Sequence, residues 1–249
     1  MYLKCLLVCI TLFTFAPSLT QAEDITLMTE DWPPYNYFLD EKIAGYSTDI
    51  VREVMDELGV EYKIHILPGA RTEKYLLEKK NHVFFTFFRT PSRENLYKWV
   101  GPLATEEVYF FKKRDNPIEI NTAKDIVDNN LVIVTMHEGM VLNKVREHGF
   151  KNILAKAKAT RNVTSMIYRG IGDLLPITPV GAKYSLSLLG LPSDALIQTP
   201  VKLFQNDLYI AFSTMTDDAI VKKWQTALDK VKSSVRYQQI KQHYMGHNK

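Results

Sequence analysis

Apolar residues alternate along some stretches of the chain and recur at helical spacing along others, which divides it into short elements in a regular order. Ile25-Thr26-Leu27-Met28-Thr29 alternates as a strand does. It runs into Glu30-Asp31-Trp32-Pro33-Pro34-Tyr35, where two prolines enforce an extended loop and forbid a helix. Past a turn at Asp40-Glu41-Lys42, Gly45 precedes Ser47, the expected N-cap. Ile50, Val51, Val54, Met55 and Leu58 then follow at helical spacing until Gly59 stops the helix. Residues 60–67 set Tyr62, Ile64 and Ile66 against Glu61, Lys63 and His65, a second strand, and residues 70–80 read as a second amphipathic helix. Val83-Phe84-Phe85-Thr86-Phe87-Phe88 is a nearly continuous apolar run, the mark of a strand buried on both faces. Strand, helix, strand, helix, strand predicts a parallel sheet wrapped by helices.

The pattern restarts after Gly101-Pro102. Residues 107–112 are extended, 122–127 form a short helix, and Leu131-Val132-Ile133-Val134 is another buried strand. Glu138-Gly139 opens a helix reaching about His148, residues 163–168 are helical, 173–177 a strand and 181–189 a helix closed by Gly190. Leu208 to Phe212 is a strand. Thr216-Asp217-Asp218 caps a long helix with Ile220, Trp224, Ala227, Leu228 and Val231 on one face, and a last helix covers 234–244. No repeat or low-complexity tract interrupts this. The fold class is α/β, in two lobes.

Composition narrows the function classes. The 249 residues carry 31 Lys+Arg against 28 Asp+Glu, and 46% are apolar, which excludes a disordered, collagen-like or coiled-coil chain. A net charge of +3, with acids and bases interleaved, gives no footing for nucleic acid or an anionic membrane as main partner. Residues 1–22 read as a cleaved secretory signal: Lys4, an apolar run from Cys5 to Phe15, and small residues ending at Ala22. That run is about a dozen residues, short of the roughly 20 a membrane span needs. Cleavage ahead of Cys9 as a lipoprotein is rejected, because Val8 is not small and hardly any apolar run would remain. Both cysteines, Cys5 and Cys9, fall inside the signal, so thiol catalysis, disulfides and thiolate zinc sites are excluded from the rest. The expected product is an exported monomer, periplasmic or secreted, held by its core alone.

Ligands in open α/β sheets bind beyond the carboxyl ends of strands. Three segments fit. Residues 30–37 bring an acid, Glu30, with Trp32, Tyr35 and Tyr37. Arg89-Thr90-Pro91-Ser92-Arg93 follows the Phe-rich strand, and a guanidinium fork suits a carboxylate through two parallel charge-assisted bonds. Residues 135–139 stand at a helix start whose free N–H groups favour an anion. Each has a plainer reading: the arginines pair with Glu94 or cap a helix, and the aromatic rings pack the lobe. His137-Glu138 lacks a second ligand at metal spacing, the six histidines are scattered, and no motif implies a metal or other cofactor.

Four motifs in order, Glu30-Asp31-Trp32-Pro33-Pro34-Tyr35, Gly45-Tyr46-Ser47-Thr48-Asp49-Ile50, Arg89-Thr90-Pro91-Ser92-Arg93 and Trp99-Val100-Gly101-Pro102, together with the segment from Leu208 through Trp224 to Tyr244, carry a resemblance. The chain resembles the family 3 extracellular solute-binding proteins, amino-acid-type receptors of bacterial ABC importers. The resemblance implies two α/β lobes joined by two crossover segments, of the type II periplasmic-binding-protein kind, clamping a ligand by hinge motion. It places the large lobe at 25–102 plus 207–244 and the small lobe at 107–201. It implies a small amino-acid or other carboxylate ligand, a permease partner, Arg93 on the α-carboxylate, Glu30 and Tyr35 lining the cleft, and Gly139 offering backbone N–H groups. Trp32, Arg89 and Thr178 complete the expected ligand-binding set. Two positions depart from the family pattern. Thr178-Pro179 stands where the acid for the ligand ammonium should be, leaving Glu30 as a candidate to replace it, and Phe88 stands where many members have a small hydroxyl residue. An enzyme like the cyclohexadienyl dehydratases, with Glu30 as general acid or base, and a ligand-sensing subunit without transport are the alternatives.

Overall fold

The order of elements is that of two half-sheets threaded by two long strands. The computed structural model describes residues 24–246; the expected signal at 1–22 lies outside the described residues. The first half contains β1 (Thr26–Thr29), a hairpin of β2 (Tyr37–Leu39) and β3 (Lys42–Ala44), α1 (Tyr46–Leu58), β4 (Ile64–Ile66), α2 (Gly69–Glu78) and β5 (His82–Phe88). Strand β6 (Tyr97–Lys113) leads into α3 (Ala123–Asp128), β7 (Ile133–Met136), α4 (Met140–Glu147), β8 (Ile153–Ala157), α5 (Thr160–Tyr168), β9 (Leu174–Ile177) and α6 (Pro179–Leu188). The chain returns through β10 (Leu196–Ser213) and closes with α7 (Asp218–Lys232) and α8 (Val235–Met245). Among the described residues the main sheet has the order β4-β1-β5-β10-β6-β9-β7-β8.

The expected parallel pairing holds for β4-β1-β5 and again for β9-β7-β8. The centre is antiparallel, a feature the sequence pattern did not carry: β10 runs against both β5 and β6, and β6 against β9. The segments expected at 107–112 and 208–212 are only parts of strands 17 and 18 residues long. Gly101-Pro102 and Pro200 suggest breaks, but the ladder absorbs irregularity by shifting register between Gln198 and Lys202 and between Leu208 and Ile210. Proline is tolerated where a bulge leaves the N–H unneeded. Strand β8 and the hairpin, both short and lying at an edge or outside the main sheet, were also not foreseen.

Burial follows the layers. One large core joins Leu27, Ile50, Val54, Val83, Phe85 and Trp224 under α1, α7 and α8. Beyond the crossover strands, separate cores lie on the two faces of the second half-sheet. One is built around Phe110, Ile133 and Leu174, the other around Val134, Leu175 and Leu186. The Phe-rich strand β5 is buried on both faces, as its run of apolar residues requires, but not by simple alternation. Val83 and Phe85 face the large core and Phe84 the smaller core under α2. Thr86 then stands opposite no residue of β10, because Phe85 pairs Ile210 and Phe87 pairs Tyr209. It is a bulge residue at φ 65°, fixed by a 3.0 Å hydrogen bond from its hydroxyl to Asn36 Oδ1. One extra residue reverses the faces that follow, so Phe87 joins Phe84 and Phe88 turns to the large core beside Trp32, ring centroids 5.4 Å apart.

Helix ends follow local chemistry, with one correction. The α1 N-cap is Gly45 and not Ser47, which lies buried inside the first turn. The backbone at Gly45 has φ 128°, and an added Cβ would fall 2.8 Å from Asn36 N and closer still to the Tyr35 carbonyl. Glycine is what lets the helix start approach that loop.

Candidate functional site

The loop after β1 is held by the start of α1. Tyr46 N donates to Pro34 O at 2.9 Å and Ser47 N to Tyr35 O at 3.1 Å, so helix-start donors that have no partner inside the helix fix the loop carbonyls. The loop also closes on itself, Trp32 N to Asn36 O at 2.8 Å and Tyr35 N to Trp32 O at 2.9 Å. Trp32 is thereby laid against Tyr35, centroids 4.9 Å apart, with Phe88 behind and Phe204 5.7 Å from Phe88. This aromatic wall is the first side of the cleft.

The opposite side is built from helix starts of the second half. Gly139, φ 101°, is the N-cap of α4, and Met140 after it packs against the large core. Burial raises the pKa of Asp31, and Arg161, in the first turn of α5, is near enough to offset part of that rise. Thr178 caps α6, its hydroxyl accepting from Gly181 N at 3.1 Å. Tyr37 meets Tyr184 of α6 at 5.2 Å between centroids. The two halves therefore touch across this seam in the structure.

Two carboxyls in the seam are strongly perturbed. Glu30 keeps some exposed surface, but protein crowds its carboxyl. Burial pushes it up to about 7, against the pull of Arg93 and with added repulsion from Glu138, Glu73 and Asp31. It accepts no hydrogen bond among the described residues. Its Oε2 lies against Gly69 at the start of α2, where an added Cβ would come within 2.6 Å. Glu106, 7% exposed on crossover strand β6, is likewise pushed up to about 7 by burial, with the Tyr35 hydroxyl pulling it back. Tyr35 is fully buried, and burial raises its phenol well above the usual range. Its hydroxyl makes no hydrogen bond, although Glu106 and Thr178 lie within electrostatic reach. A crevice of about 470 Å³ follows this part of the seam, with Glu106, Tyr46, Pro179 and Tyr237 in its wall.

Both expected arginines have carboxylate partners inside the chain. Arg93 grips Glu73 through Nε (3.3 Å) and Nη2 (3.1 Å), and its guanidinium lies 4.0 Å from the Phe87 ring centre. Tyr97 also donates to Glu73 at 3.1 Å. Arg89 is bound two-pronged by Glu94 and stacks over Tyr209 and Trp99. Of the expected residues, Glu30, Trp32, Tyr35, Gly139 and Thr178 converge on the seam. Arg93 flanks it near Glu30, and Arg89 faces outward. Glu73, Glu106, Arg161 and Tyr184 were not found from sequence, since an acid on a strand or a base on a helix looks like ordinary surface. No group of three or more His, Cys, Asp or Glu side chains that could hold a metal ion is present among the described residues. No helix among them is long and apolar enough to cross a membrane.

Comparison with known proteins places this architecture. A model of the bacterial extracellular solute-binding proteins, family 3, matches residues 25–247. No curated protein sequence matches the chain. Among solved structures, a histidine kinase sensor domain with similarity to periplasmic binding proteins superposes with a TM-score of 0.77 at 16% identity, covering 90% of this chain and 96% of that one. The arginine-, lysine-, histidine-binding protein ArtJ from Geobacillus stearothermophilus gives 0.76 at 17% identity, covering 90% and 96%. The GluR0 ligand-binding core from Nostoc punctiforme, in complex with L-glutamate, gives 0.75 at 15% identity, covering 89% and 99%. At these identities the likeness is one of fold, and the type II periplasmic-binding-protein architecture expected from sequence is present. The chain belongs to the bacterial extracellular solute-binding proteins, family 3.

Proposed function

We propose that the protein is a periplasmic receptor, exported by a cleaved signal, that captures a small polar, amino-acid-like solute between its lobes and delivers it to an ABC permease. The observation that carries this is the seam itself. The Glu30–Tyr35 loop and the starts of α4, α5 and α6 face each other across two crossover strands, the arrangement a hinge-closing receptor needs. We take the lobes as residues 25–102 with 207–244, and 107–201, a division that the separate apolar cores support. A ligand carboxylate reaches Arg93 only by sharing it with, or taking it from, Glu73. Mass spectrometry of the solute that copurifies with the exported protein, followed by small-angle scattering with that solute removed and restored, tests the reading. Closure predicts a smaller radius with solute, and an unchanged radius at saturation refutes the hinge.

Two other readings each have one observation behind them. A sensor domain among the structural neighbours favours a ligand-sensing subunit, for which solute uptake would be the same in cells with and without the protein. Glu30, with a carboxyl near neutrality, is suited to general acid–base work. Conversion of the copurified solute on incubation would establish that enzyme reading.

A further inference from the structure

We propose that the cleft selects its solute by a positive charge and that a carboxylate on the solute is dispensable: the ligand class is a small organic cation with an apolar or aromatic body. This rests on the receptor reading and names the chemistry of its ligand. Its first support is the state of the two arginines. A guanidinium offered to a ligand carboxylate should present a free fork, yet Arg93 gives both Nε and Nη2 to Glu73, and Arg89 gives both of its prongs to Glu94. Phe87 covers one face of Arg93, and Tyr97 holds Glu73 in place from the other side, so the Arg93–Glu73 pair is a fixed unit.

The charges left over are negative. Glu30 accepts no hydrogen bond among the described residues. The charged groups that face it are Asp31 from its own loop, Glu73 from α2, Arg93 after β5 and Glu138 ahead of α4, with Arg161 of α5 turned to Asp31. Four acids against two bases, with Arg93 already shared with Glu73, leave a deficit of positive charge at the seam. Deeper along the same seam, the buried Tyr35 hydroxyl makes no hydrogen bond, and the largely buried Glu106 carboxyl lies beside it. Trp32 follows Glu30 by two residues and lies against Phe88, and an aromatic face near a carboxylate is the combination that holds an ammonium group: the ring attracts the cation and the acid neutralises it. Neither Arg93 nor Arg89 has a free fork to compete for that place.

The test uses matched sets built on single skeletons. Each set contains an amino acid, the amine left by removing its carboxylate, and the acid left by removing its amine: phenylalanine, phenethylamine and 3-phenylpropionate; tryptophan, tryptamine and indole-3-propionate; arginine and agmatine with 5-guanidinopentanoate, which keeps the guanidinium as a second cation. Thermal shift and calorimetric titration of the mature protein should find an amine that binds within about tenfold of its parent amino acid, and no binding by the phenyl and indolyl acids. Glu30→Gln should weaken the amine more than tenfold while melting as a folded protein. The amine's affinity should rise between pH 5.5 and 8 as Glu30 gives up its proton, with protons released on binding. Binding confined to carboxylate-bearing members, or affinity that falls over that pH range, overturns the cation reading and leaves the receptor intact. Failure of every member to bind, in a protein that also yields no copurified solute and does not close, overturns both.

Discussion

Glu106→Gln isolates the cost of a charge buried between the lobes. In the fold this carboxyl titrates near 7 against an ordinary 4.5, chiefly because it is desolvated. That gap is worth ~3 kcal/mol between the protonated and ionised forms. At 7% exposure the side chain is covered well enough that solvent relieves little of it. The sign follows from proton uptake. Between pH 4.5 and about 7 the folded protein holds a proton that the unfolded chain has released, so this group's contribution is full below 4.5 and is lost as pH rises through 7. Glutamine has the same shape and does not titrate. The variant and the parent should therefore have similar stability at pH 4.5, and the variant should gain on the parent by ~3 kcal/mol by pH 8. Glu30 titrates in the same window but is present in both proteins and cancels in the difference. The Tyr35 phenol stays protonated throughout, because burial raises it well above this range. Urea unfolding of both proteins at half-unit pH steps, with constant slopes, reads the difference directly. A difference that is flat across the range, or that grows toward acid, refutes the assignment of a desolvated carboxyl to this strand.

Gly45→Ala should cost ~3 kcal/mol in urea unfolding, since both the positive φ and the collision with the Tyr35–Asn36 backbone must be relieved. Gly69→Ala meets only the mobile end of Glu30. Stability should change by less than ~1 kcal/mol while calorimetric affinity for the copurified solute falls. Trp224→Ala removes a 2% exposed side chain from the large core and should cost about 3–5 kcal/mol by the same unfolding assay. Arg93→Ala breaks a partly exposed ion pair and its contact with Phe87, so a loss of about 1 kcal/mol is expected, and a loss above ~3 kcal/mol would mean that the pair is far better shielded than its exposure indicates.

Much of the architecture was legible in the chain because it is encoded locally. Helical spacing in 46–58 and 218–232, and the apolar density of β5, state which face must be buried whatever the partner. The proline-rich loop beginning at Glu30 was readable as an extended site loop for the same reason, as backbone restriction acts within a few residues. What lay beyond the sequence was decided by pairing at a distance. The antiparallel centre depends on β10 returning more than a hundred residues after β5, which no local pattern announces. The bulge at Thr86 is visible only against that partner strand, and it alone turns Phe88 toward Trp32. Arg93 and Glu73 are twenty positions apart, and as isolated letters each looks available for a ligand. Glu106 looks like ordinary surface until the lobes close over it. Local sequence specifies which surfaces need cover; whether a charge is paired, free or desolvated depends on what the rest of the chain brings to it, and that is a property of the tertiary structure.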